Sequence, residues 1–282
     1  MIEPMDRRDQ GGTRMTDETK PAFAAERRER ILELVRANGT MALRDIASQV
    51  RASEVTVRRD IRVLEAEGLI DRRRGGAALP GRLGHEPSYT QRSGTSAPEK
   101  LAIASAAARL VQDDDAIVLG PGSTTEALAR EIVGRRNLTV VTNSLPVAEV
   151  LAGAPGVEVV MTGGSLRAKT LALVGTAAEQ SLAGLRVHRA FVSGNGVTAE
   201  RGLSTPNPAV GSTDRALVAC AEEVIVLADH TKVGADTMVQ TVPPENIAHL
   251  ITDNHADPEV LMTLEDMGTL VHVAVLEVDR GE

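Results

Sequence analysis

At 282 residues and a net charge of −8, the chain is long enough for about two domains, each able to bury a core. Its single cysteine excludes an internal disulfide and fits a reducing compartment, while the lack of Trp, with aromatics at 1%, argues against a platform for stacking single-stranded bases. No apolar run approaches a membrane span and the N-terminus lacks a signal-peptide core, so a cytoplasmic protein with no membrane partner is expected.

The polar, charged residues 1–22 are expected to form a disordered tail, within which Met15 is an alternative start. Residues 23–79 read as one small unit. Ala24 to Ala37 is helical, with Ile31, Leu34 and Val35 on one face and Asn38-Gly39 as its stop. A shorter helix from Ala42 to Val50 buries Leu43, Ile46, Ala47 and Val50. Only Arg51 and Ala52 separate it from a third helix capped by Ser53, a spacing that suits a tight helix-turn-helix.

In that third helix Val57, Ile61 and Leu64 share a stripe at helical spacing, whereas Val55, Thr56, Arg58, Arg59 and Arg62 occupy the opposite half. Gly68 ends it, Leu69 and Ile70 begin an extended segment, and Arg72, Arg73 and Arg74 run into the turn Gly75-Gly76. A helix with an arginine and hydroxyl face, followed by a basic hairpin, is what a winged helix-turn-helix presents to double-stranded DNA. Between Ala24 and Leu79, 12 Arg stand against 9 Asp or Glu, a net of only +3. A small bundle with solvated arginines would have the same charge, so their placement on one face and at the wing carries the reading. Ser53, Thr56, Arg58, Arg59, Arg62 and Arg72 to Arg74 are the DNA-binding candidates. Residues 80–282 carry −10, which keeps nonspecific DNA contact local to the head.

Residues 80–98 are rich in Pro, Gly, Ser and Thr and read as a linker with little regular structure. From residue 99 to 282, helical patterns alternate with short apolar runs: Ala116–Leu119, Thr139–Thr142, Val157–Met161, Arg189–Val192, Val224–Ala228, His249–Thr252 and Leu270–Leu276. That alternation predicts an α/β domain with a mainly parallel sheet. Cys220 lies in an alanine-rich apolar stretch and reads as core.

Ligands of such sheets bind beyond the carboxyl ends of the strands. There this chain places Gly122, Ser123, Thr124 and Thr125 opening a helix, then Thr142-Asn143-Ser144, Gly163-Gly164 with Arg167 and Lys169 behind, Asn195-Gly196, and Asp229-His230-Thr231-Lys232. Glycines admit a close approach, a helix N-terminus favours an anion, and hydroxyls, amides and cations suit a polyhydroxylated, phosphorylated small molecule. The first loop is no Walker A motif, since no Lys follows at the required spacing. Helix caps and turns would leave many of the same residue types. The six His show no metal-ligand spacing, so no metal and no cofactor are expected.

From Ala24 to Val278 the chain resembles the DeoR-type bacterial transcriptional regulators. The head matches in S-E-V-T-V-R-R-D-I, L-E-A-E-G-L-I and R-R-G-G-A; the body matches in G-S-T-T, V-V-T-N-S-L, M-T-G-G-S-L-R, A-D-H-T-K-V-G and L-I-T-D. The resemblance implies a body similar to ribose-5-phosphate isomerase and a repressor modulated by a phosphorylated sugar intermediate. It also departs from the family pattern. Gly120 stands where an acid is common, Asn195-Gly196-Val197-Thr198 replaces a D-G-I-D loop, and Asp214 replaces a Lys before Arg215-Ala216-Leu217.

The expected function is a repressor of sugar-metabolism genes, released by a phosphorylated sugar or sugar acid and acting as a dimer or tetramer at a nucleoid operator. The alternative, a sugar-phosphate isomerase with an attached DNA-binding domain, needs a carboxylate base, and Asn195 and Thr198 cannot supply one. An effector-free architectural DNA-binding protein leaves the polar-edged body unexplained.

Overall fold

The structure, a computed structural model, describes residues 20–66, 69–73, 75–78 and 86–276. The head comprises α1 (Lys20–Asn38), β1 (Thr40–Ala42), α2 (Leu43–Gln49), α3 (Glu54–Ala66), β2 (Asp71–Arg73) and β3 (Gly76–Ala78). The three strands form an antiparallel sheet in the order β1-β3-β2. Ile31, Val35, Ile46, Val57, Ile61 and Ile70 are fully buried in its core. Gly76 makes the β1–β3 contact possible, because a Cβ there would lie 2.1 Å from the Met41 carbonyl oxygen. Gly75 turns the hairpin at φ +77°, a conformation that favours glycine.

Several boundaries differ from the sequence reading. The helix expected from Ala42 begins at Leu43, because Thr40–Ala42 pairs with β3 as a strand. The segment expected to lack regular structure contains α4 (Tyr89–Gly94), and α5 (Ala97–Ala108) begins before residue 99. A capping box stabilises α4: Ser88 Oγ accepts from the Gln91 amide at 3.3 Å, and the Gln91 side chain accepts from the Ser88 amide at 2.8 Å. Of the expected tail, residues 1–19 lie outside the described residues, and residues 20–22 already belong to α1.

The body continues with β4 (Ala116–Leu119), α6 (Ser123–Glu131), β5 (Leu138–Thr142), α7 (Leu145–Leu151), β6 (Val157–Met161), β7 (Ser165–Arg167) and β8 (Ala172–Val174). Next come α8 (Thr176–Leu182), β9 (Val187–Val192), β10 (Gly196–Thr198), β11 (Gly202–Thr205), α9 (Pro208–Ala219) and β12 (Ala221–Leu227). It ends with β13 (Val239–Val242), β14 (His249–Asp253), α10 (Pro258–Asp266) and β15 (Leu270–Ala274).

Seven strands build one sheet in the order β15-β14-β12-β9-β4-β5-β6, every neighbouring pair parallel. Successive side chains point to opposite faces: Ile117 and Leu119 pack beneath α5, α6 and α7, and Val118 packs towards α8, α9 and α10. Apolar runs buried on both faces are what a covered parallel sheet requires. The chain runs outward from β4 through β5 to β6, then returns beside β4 with β9 and runs out the other way. The order therefore reverses between β4 and β9, and a narrow cleft of about 10 Å³ lies at their carboxyl ends.

Candidate DNA-reading face and effector cleft

Helix α3 starts where Ser53 meets its free amides. The Ser53 hydroxyl accepts from the Thr56 amide at 3.3 Å, and its carbonyl accepts from Val57 at 3.0 Å. Val57, Ile61 and Leu64 are buried, while Val55, Arg58, Arg59 and Arg62 are exposed and Thr56 is half-buried with its Oγ1 2.9 Å from Ser53 Oγ. Asp60, buried on the inner side, accepts from Arg27 Nε of α1 at 2.6 Å. That ion pair braces α3 from behind and leaves the arginine face outward. Arg72 is exposed on the wing, 3.6 Å from Glu65. The Arg73 side chain and Arg74 lie outside the described residues.

In the body, the β4 and β9 ends meet at the reversal. Gly120 donates its amide to the Phe191 carbonyl at 2.9 Å, and a Cβ on Gly122 would lie 3.4 Å from Ser193 Cβ. The cleft is lined by Pro121 from one loop, Ser193 and Asn195 from the other, Thr205 of β11, Asp214 of α9 and Arg92 of α4. Thr205 Oγ1 donates to Asn195 Oδ1 at 3.4 Å. Glu86 also reaches the cleft, where it is buried and pairs with Arg167.

The charges here are close together and poorly solvated. Burial pushes the Asp214 carboxyl up to about 7, against the pull of Arg92 and Arg215. Burial likewise lowers Arg92, against Glu86 and Asp214. Lys100 is brought down to about 8 by burial first and then by Lys232, while Asp229 pulls the other way. Burial would raise Asp229, yet Lys232 and Lys100 outweigh it and hold the carboxylate well below its usual range. Lys232 Nζ lies 2.6 Å from Asp229 Oδ2. Several buried polar atoms have no hydrogen-bond partner among the described residues: Arg92 Nε and Nη2, Arg167 Nε, Asn143 Oδ1 and Asp214 Oδ1. Unmet donors and acceptors gathered near strand ends are what a polar ligand would satisfy.

The candidates from the sequence divide accordingly. Asn195 lines the cleft and Gly122 packs against its wall. Ser123 Oγ donates to the Arg92 carbonyl at 3.4 Å, so the N-terminus of α6 touches α4. Other hydroxyls brace the backbone. Thr125 Oγ1 donates to the Gly122 carbonyl at 2.9 Å, Thr142 Oγ1 to Leu119 at 2.6 Å, and Ser144 caps α7. Thr124 is buried. Asn143 Nδ2 donates to Leu173 at 3.0 Å, leaving its Oδ1 unmet. Gly163 and Gly164 make the turn into β7 at φ +68° and +105°, while Gly196 starts β10. Thr198 braces a turn by accepting from the Arg201 amide at 3.1 Å.

Arg167 and Lys232, expected to stand available for an anion, are each already paired, with Glu86 and Asp229. The sequence reading placed Ser193 in the same strand-end loop as Asn195, missed Arg92, Glu86, Lys100 and Thr205, and could not place Asp214. The only signals were Arg92 inside a segment read as linker and Asp214 as a departure from a family pattern.

A second cluster joins body to head. His230 Nδ1 lies 3.0 Å from Asp253 Oδ1, and its Nε2 lies 3.1 Å from Asp45 Oδ2 of α2. Burial opposes the charged ring, but the two carboxylates outweigh it and raise His230 to about 10. Glu99, His230 and His255 also bring ligand atoms within 4.8 Å of one another, which spacing in the sequence had not suggested. With both His230 nitrogens facing carboxylates, this geometry suits an imidazolium clamp better than a metal ligand.

Comparison with known proteins places both halves. Residues 27–82 match the DeoR-like helix-turn-helix domain, and residues 95–254 match the DeoR C-terminal sensor domain. The chain is 33% identical over 229 residues to the uncharacterized HTH-type transcriptional regulator YgbI of Escherichia coli, covering 81% of this chain and 89% of that protein. It is 32% identical to the lactose phosphotransferase system repressor of Lactococcus lactis (87% and 97% covered). It is 31% identical to the transcriptional repressor GlcR of Bacillus subtilis (92% and 99%). Among solved structures, ribose 5-phosphate isomerase A of Methanocaldococcus jannaschii overlays 48% of this chain and 53% of its own at 21% identity, with a TM-score of 0.35, too low to bear on activity.

Proposed function

The chain belongs to the DeoR family of transcriptional regulators, and from that premise we propose that it represses sugar-metabolism genes until a phosphorylated sugar or sugar acid binds the cleft between β4 and β9. Helix α3 enters the major groove, where Thr56, Arg58, Arg59 and Arg62 divide between base edges and phosphates, and the arginines of the wing meet the backbone or minor groove. The observation that carries the effector half is the cleft itself: unmet buried donors and acceptors at the reversal of strand order. Two relatives are named as repressors, one of them for a lactose phosphotransferase system, which supports the sugar reading.

The body acts as a sensor rather than an isomerase. Its 195–198 loop has no carboxylate to move a proton, and Asp229 is tied to Lys232. One head covers a short stretch of DNA, so a homodimer or tetramer reads paired half-sites. Exposed Val160, Met161 and Leu166 along the β6 and β7 edge are suited to a second copy. The protein works in the cytoplasm, at its operator; among the described residues no helix is long and apolar enough to cross a membrane.

The test is equilibrium binding to DNA from the protein's own promoter region, titrated with D-glucose 6-phosphate, 6-phospho-D-gluconate and inorganic phosphate. Specific operator binding that one of the two sugar derivatives weakens supports the reading. Sequence-independent binding, or indifference to all three, contradicts it.

A further inference from the structure

Arg92 sits on a short helix between the two domains, yet it lines the narrow cleft at the β4 and β9 ends, with Nε and Nη2 of its guanidinium sealed from solvent. Nε and Nη2 are buried without hydrogen-bond partners among the described residues, and Asp214 Oδ1, on the same cleft wall, is unmet as well. A buried guanidinium without acceptors is unfavourable, and it persists where the fold fixes it or a ligand completes it. The two acids in reach do not complete it. Glu86 is committed to Arg167, and the Asp214 carboxyl is drawn towards its neutral form by burial. Lys100 adds a further cation beside it, its Nζ donating to the carbonyls of Arg92 and Thr95. The cleft is thus short of one anionic group, and Arg92 presents the forked donors that hold an oxyanion in two-point fashion.

The backbone around Arg92 ties it to both domains. Gln91 Nε2 donates to the Ala37 carbonyl near the end of α1, at 3.0 Å. The Tyr89 amide donates to Lys169 at 2.8 Å, and the Tyr89 hydroxyl donates to Glu126 on α6. One side chain of α4 therefore faces the cleft while its neighbour holds the head.

Resting on the effector reading above, we propose that Arg92 binds an oxyanion of the effector, a phosphate or a carboxylate, and that α4 carries this event to the DNA-binding head through the Gln91–Ala37 contact. Ligand then shifts operator affinity because it favours one placement of α4 over another, and only such differential binding moves a two-state equilibrium.

The experiment uses the full chain as wild type, Arg92→Gln, Arg92→Lys and Gln91→Glu. Calorimetry measures binding of glucose 6-phosphate, 6-phosphogluconate and inorganic phosphate, and fluorescence anisotropy measures operator affinity with and without each. Arg92→Gln is expected to weaken the ligand that wild type binds by about tenfold or more, the scale of one lost charge-assisted contact. Arg92→Lys recovers part of that loss, and the ligand-free melting temperature of Arg92→Gln changes little, since Nε and Nη2 have no hydrogen-bond partner among the described residues. Gln91→Glu, which keeps the oxygen that caps α4 and removes the donor to Ala37, keeps ligand affinity but blunts the ligand-induced change in operator affinity. Tightest wild-type binding by glucose 6-phosphate assigns Arg92 to phosphate; a preference for phosphogluconate lost in Arg92→Gln assigns it to carboxylate. If Arg92→Gln binds ligand and releases DNA as wild type does, the role of Arg92 is overturned while the cleft reading stands. If Arg92→Gln melts lower yet keeps its full response, Arg92 is scaffold and the proposal fails. Wild type indifferent to all three compounds overturns both.

Discussion

In the head, Arg58, Arg59 and Arg62 stand in solvent above an apolar core; in the body, Arg92, Lys100, Asp214 and Asp229 are withdrawn from solvent at the strand ends. The difference fits the ligands proposed for the two regions. DNA is a large polyanion that approaches from outside, so exposed cations keep their hydration until contact and the cost of ordering them stays small. A small ligand offers few contacts, and each must be made in a dry, preformed place to count. The head can therefore lose Arg58, Arg59 or Arg62 and still fold, whereas the body cannot lose Lys232 without leaving buried Asp229 uncompensated.

Four substitutions or conditions sharpen that contrast, beginning with the largest effect. Lys232→Ala leaves the Asp229 carboxylate buried without its 2.6 Å partner, and it is expected to destabilise the body by about 3–5 kcal/mol, read by urea unfolding. A loss near zero would mean that Lys100 alone suffices and the buried network is looser than described. Ile61→Ala removes a fully buried side chain from the head core and should cost the head about 2–5 kcal/mol. Amide exchange should then accelerate in α1 to α3 and not in the parallel sheet, and acceleration throughout would show the two regions to be one cooperative unit.

Arg59→Ala acts at the surface. It should weaken specific operator binding by about 1–3 kcal/mol if Arg59 reads a guanine, with melting temperature and effector affinity unchanged. A gel shift at fixed salt that shows wild-type affinity rejects that role for Arg59.

The smallest effect is a pH dependence where the two regions touch. His230 faces Asp253 and Asp45, with His255 and Glu99 close by, and its folded value is about 10 against an ordinary 6.5. A raised value means that the charged ring's contribution is fully present below about pH 6.5 and is lost as pH rises towards 10. Amide protection in α2 should fall over that window in wild type and depend less on pH in Asp45→Asn. An identical profile in both proteins would remove Asp45 from the clamp.

The two regions were also unequally legible in the sequence. The head is contiguous: α3 announces itself because Val57, Ile61 and Leu64 recur at helical spacing and the arginines fill the other half. The inner runs of the parallel sheet were legible for a related reason, since strands buried on both faces are largely apolar, and the edge strands β6 and β15 are apolar though partly exposed. The hairpin β7–β8 and the small sheet of β10, β11 and β13 were not, because three or four residues are too few to show alternation. Helix α4 hid in a segment whose Ser, Thr and Gly suggest a loop, although the pair Ser88 and Gln91 carried the capping signal.

The cleft was legible only as loops. Gly122, Ser123 and Asn195 follow strands and so fall at the sheet's carboxyl edge. Arg92, Glu86 and Asp214 come from a linker and mid-helix positions, and only the folded topology brings them there. Thr125 and Thr142 donate their hydroxyls to backbone carbonyls and Ser144 accepts from the Val147 amide, roles that polar loop composition does not reveal.

Hydrogen exchange on the full chain with saturating glucose 6-phosphate or 6-phosphogluconate tests whether the cleft between β4 and β9 receives the effector. Exchange should slow in residues 120–125 and 193–196 together with 89–94. Protection confined to the head–body interface around His230 and Pro258, with the β4 and β9 ends unchanged, would contradict that placement.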